Sequence, residues 1–128
     1  MNEWYQSLNK PSWAPKEQVF GTVWSILYPI IFAVNAYVFL LYMQNKISLS
    51  TALPFWLNLF FNILFTTIQF GLKNNVLALV DITLVLMSIV WAMIAIWPQS
   101  KFITFAFIPY LLWVIVASIL QLSITIKN

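Results

Sequence analysis

The chain has 128 residues, of which 62% are hydrophobic and 7% charged. A soluble domain of this length would carry about 32 charged side chains, whereas this one has six Lys and three acids. A water-facing surface cannot be clothed with so few charges, and 18% aromatic residues exclude a disordered chain, which leaves a small, single-domain integral membrane protein.

Residues 1–16 come first and differ from the rest. They are too polar for a secretory signal, having no apolar core. They hold Trp4, Tyr5, Lys10, Trp13 and Lys16, the residue types of the membrane–water boundary, and Pro11 and Pro15 oppose a continuous helix. An interfacial segment lying across one end of a bundle is expected here.

Beyond it the charges mark out the spans. There are 28 uncharged residues between Glu17 and Lys46, and 26 between Lys46 and Lys73. A further 27 residues, interrupted only by Asp81, separate Lys73 from Lys101, and 25 follow from Phe102 to Ile126. A bilayer core needs roughly 20 helical residues. Four spans are therefore predicted near Val19–Met43, Thr51–Leu72, Val76–Trp97 and Phe102–Ile126. The connections are short, so neighbouring helices run antiparallel. A β-barrel would alternate polar and apolar residues, which runs such as Ala33–Leu41 do not. The fold class is all-α: a polytopic membrane bundle of four helices behind an interfacial N-terminal segment.

Four spans put both termini on one side, with Lys10, Lys16, Lys73 and Lys127; Lys46 and Lys101 lie on the other. The positive-inside rule then places the termini in the cytoplasm.

Within the spans, polar and aromatic residues recur on single faces at helical spacing. The first span carries Trp24, Tyr28, Ile31 and Asn35. The second carries Asn58, Asn62, Phe65, Thr66 and Gln69, the third Asp81, Ser88 and Ala92, the fourth Tyr110, Trp113, Ala117 and Gln121. Turned inward, these faces give an interior of rings and neutral hydrogen-bonding groups. Two uses fit it: contacts between helices, or a site for flat ligands among rings too bulky for close helix packing. Small residues spaced for close packing are few, Gly21 with Ser25 and Ser88 with Ala92.

Asp81 is the one acid within a span, about 12 Å along the helix from Lys73. It reads as a proton or cation site, as a hydrogen-bonding contact between helices, or as a group reaching the headgroup region through a water. Pro29, Pro54 and Pro109 each free a carbonyl and favour a kink; at Pro109 it would aim the Tyr110 and Trp113 face, while Pro54 also suits a first helical turn.

Chemistry is narrowed by what is missing. The chain has neither Cys nor His, so no thiolate or imidazole is available as metal ligand, nucleophile or base; no metal site is expected. The lysines are scattered and form no phosphate-tracking patch, so nucleic acid is not an expected partner.

Several motifs resemble one family. Trp4-Tyr5, Leu8, Lys10-Pro11, Trp13 and Pro15 are similar to the loop signature of the TspO/MBR family, the tryptophan-rich sensory or translocator proteins. Phe20-Gly21, Val23-Trp24 and Leu27-Tyr28 follow, then Leu57-Asn58 with Phe61 and Phe65, Leu77 to Asp81, and Pro109-Tyr110-Leu111-Leu112-Trp113 with Ala117. The resemblance implies a helical bundle, usually dimeric, that binds porphyrins of the protoporphyrin IX class and similar planar hydrophobic molecules. It implies a pocket lined by Tyr5, Pro15, Trp24, Tyr28, Asn58, Asn62, Phe65, Trp113 and Ala117, beneath the segment 4–15. It also implies a span before the Trp4-Tyr5 loop, which only three residues precede; the chain reads as a short member lacking that span. Lys16 stands where the family has a second proline, Phe61 where it often has Trp, and Gln121 where it often has Asn. A cholesterol motif needs a basic residue within five of Tyr110, and the next is Lys127.

Three functions follow. The first is a porphyrin sensor, scavenger or carrier in the membrane, with rings of Trp24, Tyr28, Phe65 and Trp113 stacking on the macrocycle and Tyr110 also facing the ligand. Asn58, Asn62 and Gln69 would orient its polar groups, and Lys10 and Lys16 would meet its carboxylates. The second is light-dependent porphyrin degradation with Trp24 and Trp113 as electron donors; no cofactor motif is present, and the porphyrin itself would be substrate and sensitiser. The third is a small proton-coupled exporter, which calls for an acid deep in the first span, where none exists.

Overall fold

The structure, a computed structural model, describes residue 10 and residues 12–14, 17–68 and 74–127. Among these there is no strand. The helices are α1 (Glu17–Met43), α2 (Leu49–Thr66), α3 (Asn75–Ile96), α4 (Lys101–Ala106) and α5 (Ile108–Lys127). Most of the segment expected at the interface, with Gln69–Lys73 after α2, lies outside the described residues.

Local chemistry sets the ends. Helix α1 stops where Asn45 takes a positive φ of 60°. There the Asn45 N–H donates to the Tyr42 carbonyl at 3.0 Å and the Lys46 N–H to the Leu41 carbonyl at 2.9 Å, a closure that satisfies the last free carbonyls. Three polar residues then open the next elements. The Thr51 N–H donates to Ser48 Oγ at 3.3 Å, the Leu77 N–H to Asn74 Oδ1 at 3.0 Å, and the Ile103 N–H to Ser100 Oγ at 3.3 Å. Each supplies an acceptor to a helix start that would otherwise leave its donors unpaired.

The last span is not one helix. Pro109 has no N–H to give the Phe105 carbonyl, and the helix breaks at Phe107 (φ −86°, ψ −7°). The Phe107 N–H is shared between the Ile103 and Thr104 carbonyls, each at 3.2 Å, and the ladder resumes as Leu111 N–H donates to the Phe107 carbonyl at 2.9 Å. Pro54 does not begin its helix. It is the sixth residue of α2, which starts two residues earlier than expected because Ser48 caps it.

Helix α3 lies at the centre, packed against α2 on one side and α5 on the other. Its buried residues are Ala78, Asp81, Ile82, Val85, Ser88, Ile89, Ala92 and Ile96, one face at helical spacing. Small side chains at Ala78, Ser88 and Ala92, with Ala52 on α2, let these helices approach closely. Helix α1 packs along α2 and touches α4, and its buried side chains Leu27, Ile31, Val34 and Val38 join the same core. The outer surface is as apolar as the inner one: Met87, Ile94 and Phe102 are 62%, 69% and 80% exposed. An apolar exterior is what a bilayer requires. The α1 segment Val19–Met43, α3, and the α4–α5 segment Lys101–Lys127 are each long and apolar enough to span one. At 18 residues α2 extends about 27 Å. The protein is an integral membrane helical bundle.

The two small-residue pairs have different fates. Ser88 and Ala92 are buried, whereas Gly21 and Ser25 are exposed, and a Cβ at Gly21 would meet nothing within 4 Å. Ala92→Leu should therefore lower stability in detergent by about 1–3 kcal/mol through overpacking. Gly21→Ala should leave it unchanged or raise it by up to about 1 kcal/mol. Thermal unfolding of both purified variants measures this.

Candidate functional site

The carboxamide stripe of α2 faces inward and meets the hydroxyl of Tyr110. That hydroxyl donates to Asn58 Oδ1 at 3.1 Å and accepts from Asn62 Nδ2 at 2.5 Å. The Asn58 Nδ2 group donates onward to Ser88 Oγ at 3.1 Å and to the Val85 carbonyl at 3.3 Å. Ser88 Oγ donates to the Val85 carbonyl at 2.8 Å. Tyr110, Asn58, Asn62 and Ser88 are all buried. The phenol thus joins α5 to α2, and Asn58 carries the connection on to α3. Asn58 and Asn62, the candidates for orienting a ligand, are engaged in holding α2, α3 and α5 together.

Rings surround this junction. Phe107, placed by the break before Pro109, meets Tyr110 edge-on at 5.3 Å and Phe55 at 5.3 Å. Trp24 stacks on Tyr28 at 5.1 Å with 27° between planes, and presents its edge to Tyr110 at 6.4 Å. On α5, Trp113 meets Phe20 edge-on at 5.2 Å. Trp24, Trp113 and Ala14 all pack against one small cluster of Phe20, Leu120 and Ile124. Both tryptophans remain half-buried, and the indole Nε1 of Trp113 is buried without an acceptor.

Helices α1 and α5 come together mainly through these rings; the close backbone approaches of α1 are to α2 and α4. The seam between α1 and α5 widens into an apolar groove of about 350 Å³, lined by Val23, Ile26 and Leu27 on one side and Pro109, Leu112, Trp113 and Val116 on the other.

The sequence-derived candidates thus divide. Trp24, Tyr28, Asn58, Asn62 and Tyr110 form one connected set. Trp113 and the buried Ala117 lie on the α5 side of the seam, and Phe65 is half-buried against the main core. Tyr5, Pro15 and Gln69 lie outside the described residues, as does Lys16. Phe20 entered the sequence reading only as part of a motif and Phe107 not at all, although each was legible as a site residue: Phe20 stands four residues before Trp24 on the same stripe, and Phe107 three before Tyr110. Gln121 serves a different end, donating from Nε2 to the Asn75 carbonyl at 3.3 Å and tying α5 to the start of α3. Asn35 turns its Nδ2 back to the Ile31 carbonyl at 2.8 Å within its own helix. Asp81 is buried with Oδ2 unpartnered, and no hydrogen bond from it to another helix is seen among the described residues.

Comparison with known proteins decides the family. The model of the TspO/MBR family matches residues 1–127. The chain belongs to the TspO/MBR family. It is 34% identical over 122 residues to the protein CrtK of Rhodobacter capsulatus, covering 94% of this chain and 76% of the relative. It is 34% identical to the tryptophan-rich protein TspO of Chlorobaculum tepidum, covering 98% of this chain and 79% of that protein. It is 31% identical to the tryptophan-rich sensory protein of Cereibacter sphaeroides, covering 91% and 72%. In this TspO/MBR member the ring cluster lies on α1, α2, α5 and, with Phe107, the break between α4 and α5, and the Tyr110 junction on α2, α3 and α5.

Removing the Tyr110 hydroxyl strands two buried carboxamide atoms. Tyr110→Phe should destabilise the protein by about 1–2 kcal/mol, and combining it with Asn62→Leu should be markedly non-additive. A double-mutant cycle on unfolding in micelles reads both.

Proposed function

We propose that this protein binds a planar, largely apolar ligand of the porphyrin class at the α1–α5 seam, acting as a membrane sensor, scavenger or carrier. The observation that carries this reading is the convergence of Trp24 and Trp113 on a single cluster, both still half-buried. The carboxamides nearby are already hydrogen-bonded to Tyr110 and Ser88. Recognition therefore falls to the rings: Trp24 and Tyr28 offer a stacked pair, and Trp113 faces the groove from α5. A flat conjugated ligand gains from such surfaces, at about 0.5–1.5 kcal/mol per aromatic pair beyond area burial. The Trp113 N–H supplies a donor for an acceptor atom on the ligand. Ala14 packs on the same cluster, and Lys10 is the residue proposed to meet the ligand's carboxylates. The name of the Cereibacter relative, a tryptophan-rich sensory protein, supports a sensing role. We further propose that the protein works as a homodimer with both termini in the cytoplasm.

Titration of the detergent-purified protein with protoporphyrin IX, followed by tryptophan fluorescence, tests the site. Saturable quenching is expected, and Trp24→Phe combined with Trp113→Phe should weaken affinity about ten-fold or more. Trp91→Phe, on the outer face of α3, should not change it. Equal affinity in the double variant and the parent rules the site out. The mass of the complex in the same sample tests the dimer.

A further inference from the structure

A second groove lies between α3 and the last span, near the end of the bundle opposite the start of α1 and the end of α5. Val90, Met93, Ile94, Trp97, Thr104 and Leu111 line it, and it holds about 370 Å³. Its one hydroxyl, on Thr104, donates to the Met93 carbonyl at 3.2 Å. The walls therefore present hydrocarbon. Ile94, on its rim, is 69% exposed, so the groove opens sideways to the bilayer. From Val90 to Trp97 it follows the helix for about 10 Å, a length suited to a stretch of acyl chain.

The mouth of the groove is different in kind. Trp97 follows the last residue of α3, and Lys101 opens α4 after three intervening residues, which puts both at the membrane–water boundary. The Lys101 Nζ lies 5.2 Å from the centroid of the Trp97 ring. The charged residues described at this end are Lys46 and Lys101. The described acids, Glu17 and Asp81, belong to the opposite end of α1 and to the first half of α3. A cation beside an interfacial ring, above a hydrocarbon groove and away from any described carboxylate, fits a ligand with an anionic head and an apolar tail.

We propose that this groove is a binding site for an anionic phospholipid, with one acyl chain between α3 and α5 and the phosphate at Lys101 beside Trp97. The site is separate from the α1–α5 seam and does not depend on porphyrin binding.

Native mass spectrometry of the detergent-purified protein, given equal amounts of phosphatidylglycerol and phosphatidylcholine, tests it. Phosphatidylglycerol should be retained about five-fold over phosphatidylcholine, the factor that one lysine near an anionic surface contributes. Lys101→Gln should bring the ratio close to one, and Lys46→Gln should leave it unchanged. Ile94→Trp, a lipid-facing change that fills the groove without touching the core, should reduce retention of both lipids. An unchanged ratio in Lys101→Gln overturns the proposal. So does an equal fall in both lysine variants, which would mean diffuse charge attraction, or lipid retention indifferent to Ile94→Trp.

Discussion

A polar side chain buried inside a membrane bundle has no water to turn to, so its partner must come from another helix or from its own backbone. The Tyr110 hydroxyl on α5 and the Asn58 carboxamide on α2 together meet that requirement across three helices. Asn58 and Asn62 reach the hydroxyl from α2, one as acceptor and one as donor, and Asn58 carries the connection to Ser88 on α3. This arrangement fixes the register of α2 against α3 and the rotation of α5 about its axis. A shift of one residue in α2 would leave both carboxamides facing rings or lipid.

The same constraint explains the break in the last span. Tyr110 reaches the carboxamides while Phe107 packs on Phe55, and Pro109 removes the backbone bond that would hold the segment straight. The kink and the hydrogen-bond junction are thus parts of one device. Beyond it the interactions change character. Among the described hydrogen bonds of this network none comes from helix α1; Asn35 bonds within its own helix, and α1 meets α5 through Phe20, Trp24 and Trp113. Ring contacts are less directional than hydrogen bonds, so this seam is the part of the bundle best able to admit a flat guest between its helices.

Much of this was legible in the order of residues. The spacing of the lysines marked out the apolar helices, three segments long enough to cross a bilayer and the shorter α2, because charge is excluded from the bilayer core whatever the packing. The inward stripes were also readable, since helical periodicity depends only on backbone geometry: Tyr110, Asn58, Asn62, Asp81 and Ser88 are all buried as their spacing implied. What periodicity could not say was what each inward group faces. Asn58 and Asn62 on one stripe suited a ligand and a helix contact equally, and only the position of α5 placed a phenol between them. Gly21 and Ser25 had the spacing of a packing pair yet face outward, because spacing reports a shared face and not which neighbour lies against it.

The sequence by itself determined a membrane-embedded helical bundle, its inward faces and its resemblance to the TspO/MBR family, since these follow from composition, period and motif. Only the tertiary structure decided which helices are joined by hydrogen bonds and which by rings. It also divided the last span in two and placed the apolar grooves on the outer surface. The physical reason is that a helix defines its own faces through local hydrogen bonds, while the partner of each face depends on the relative positions of helices dozens of residues apart.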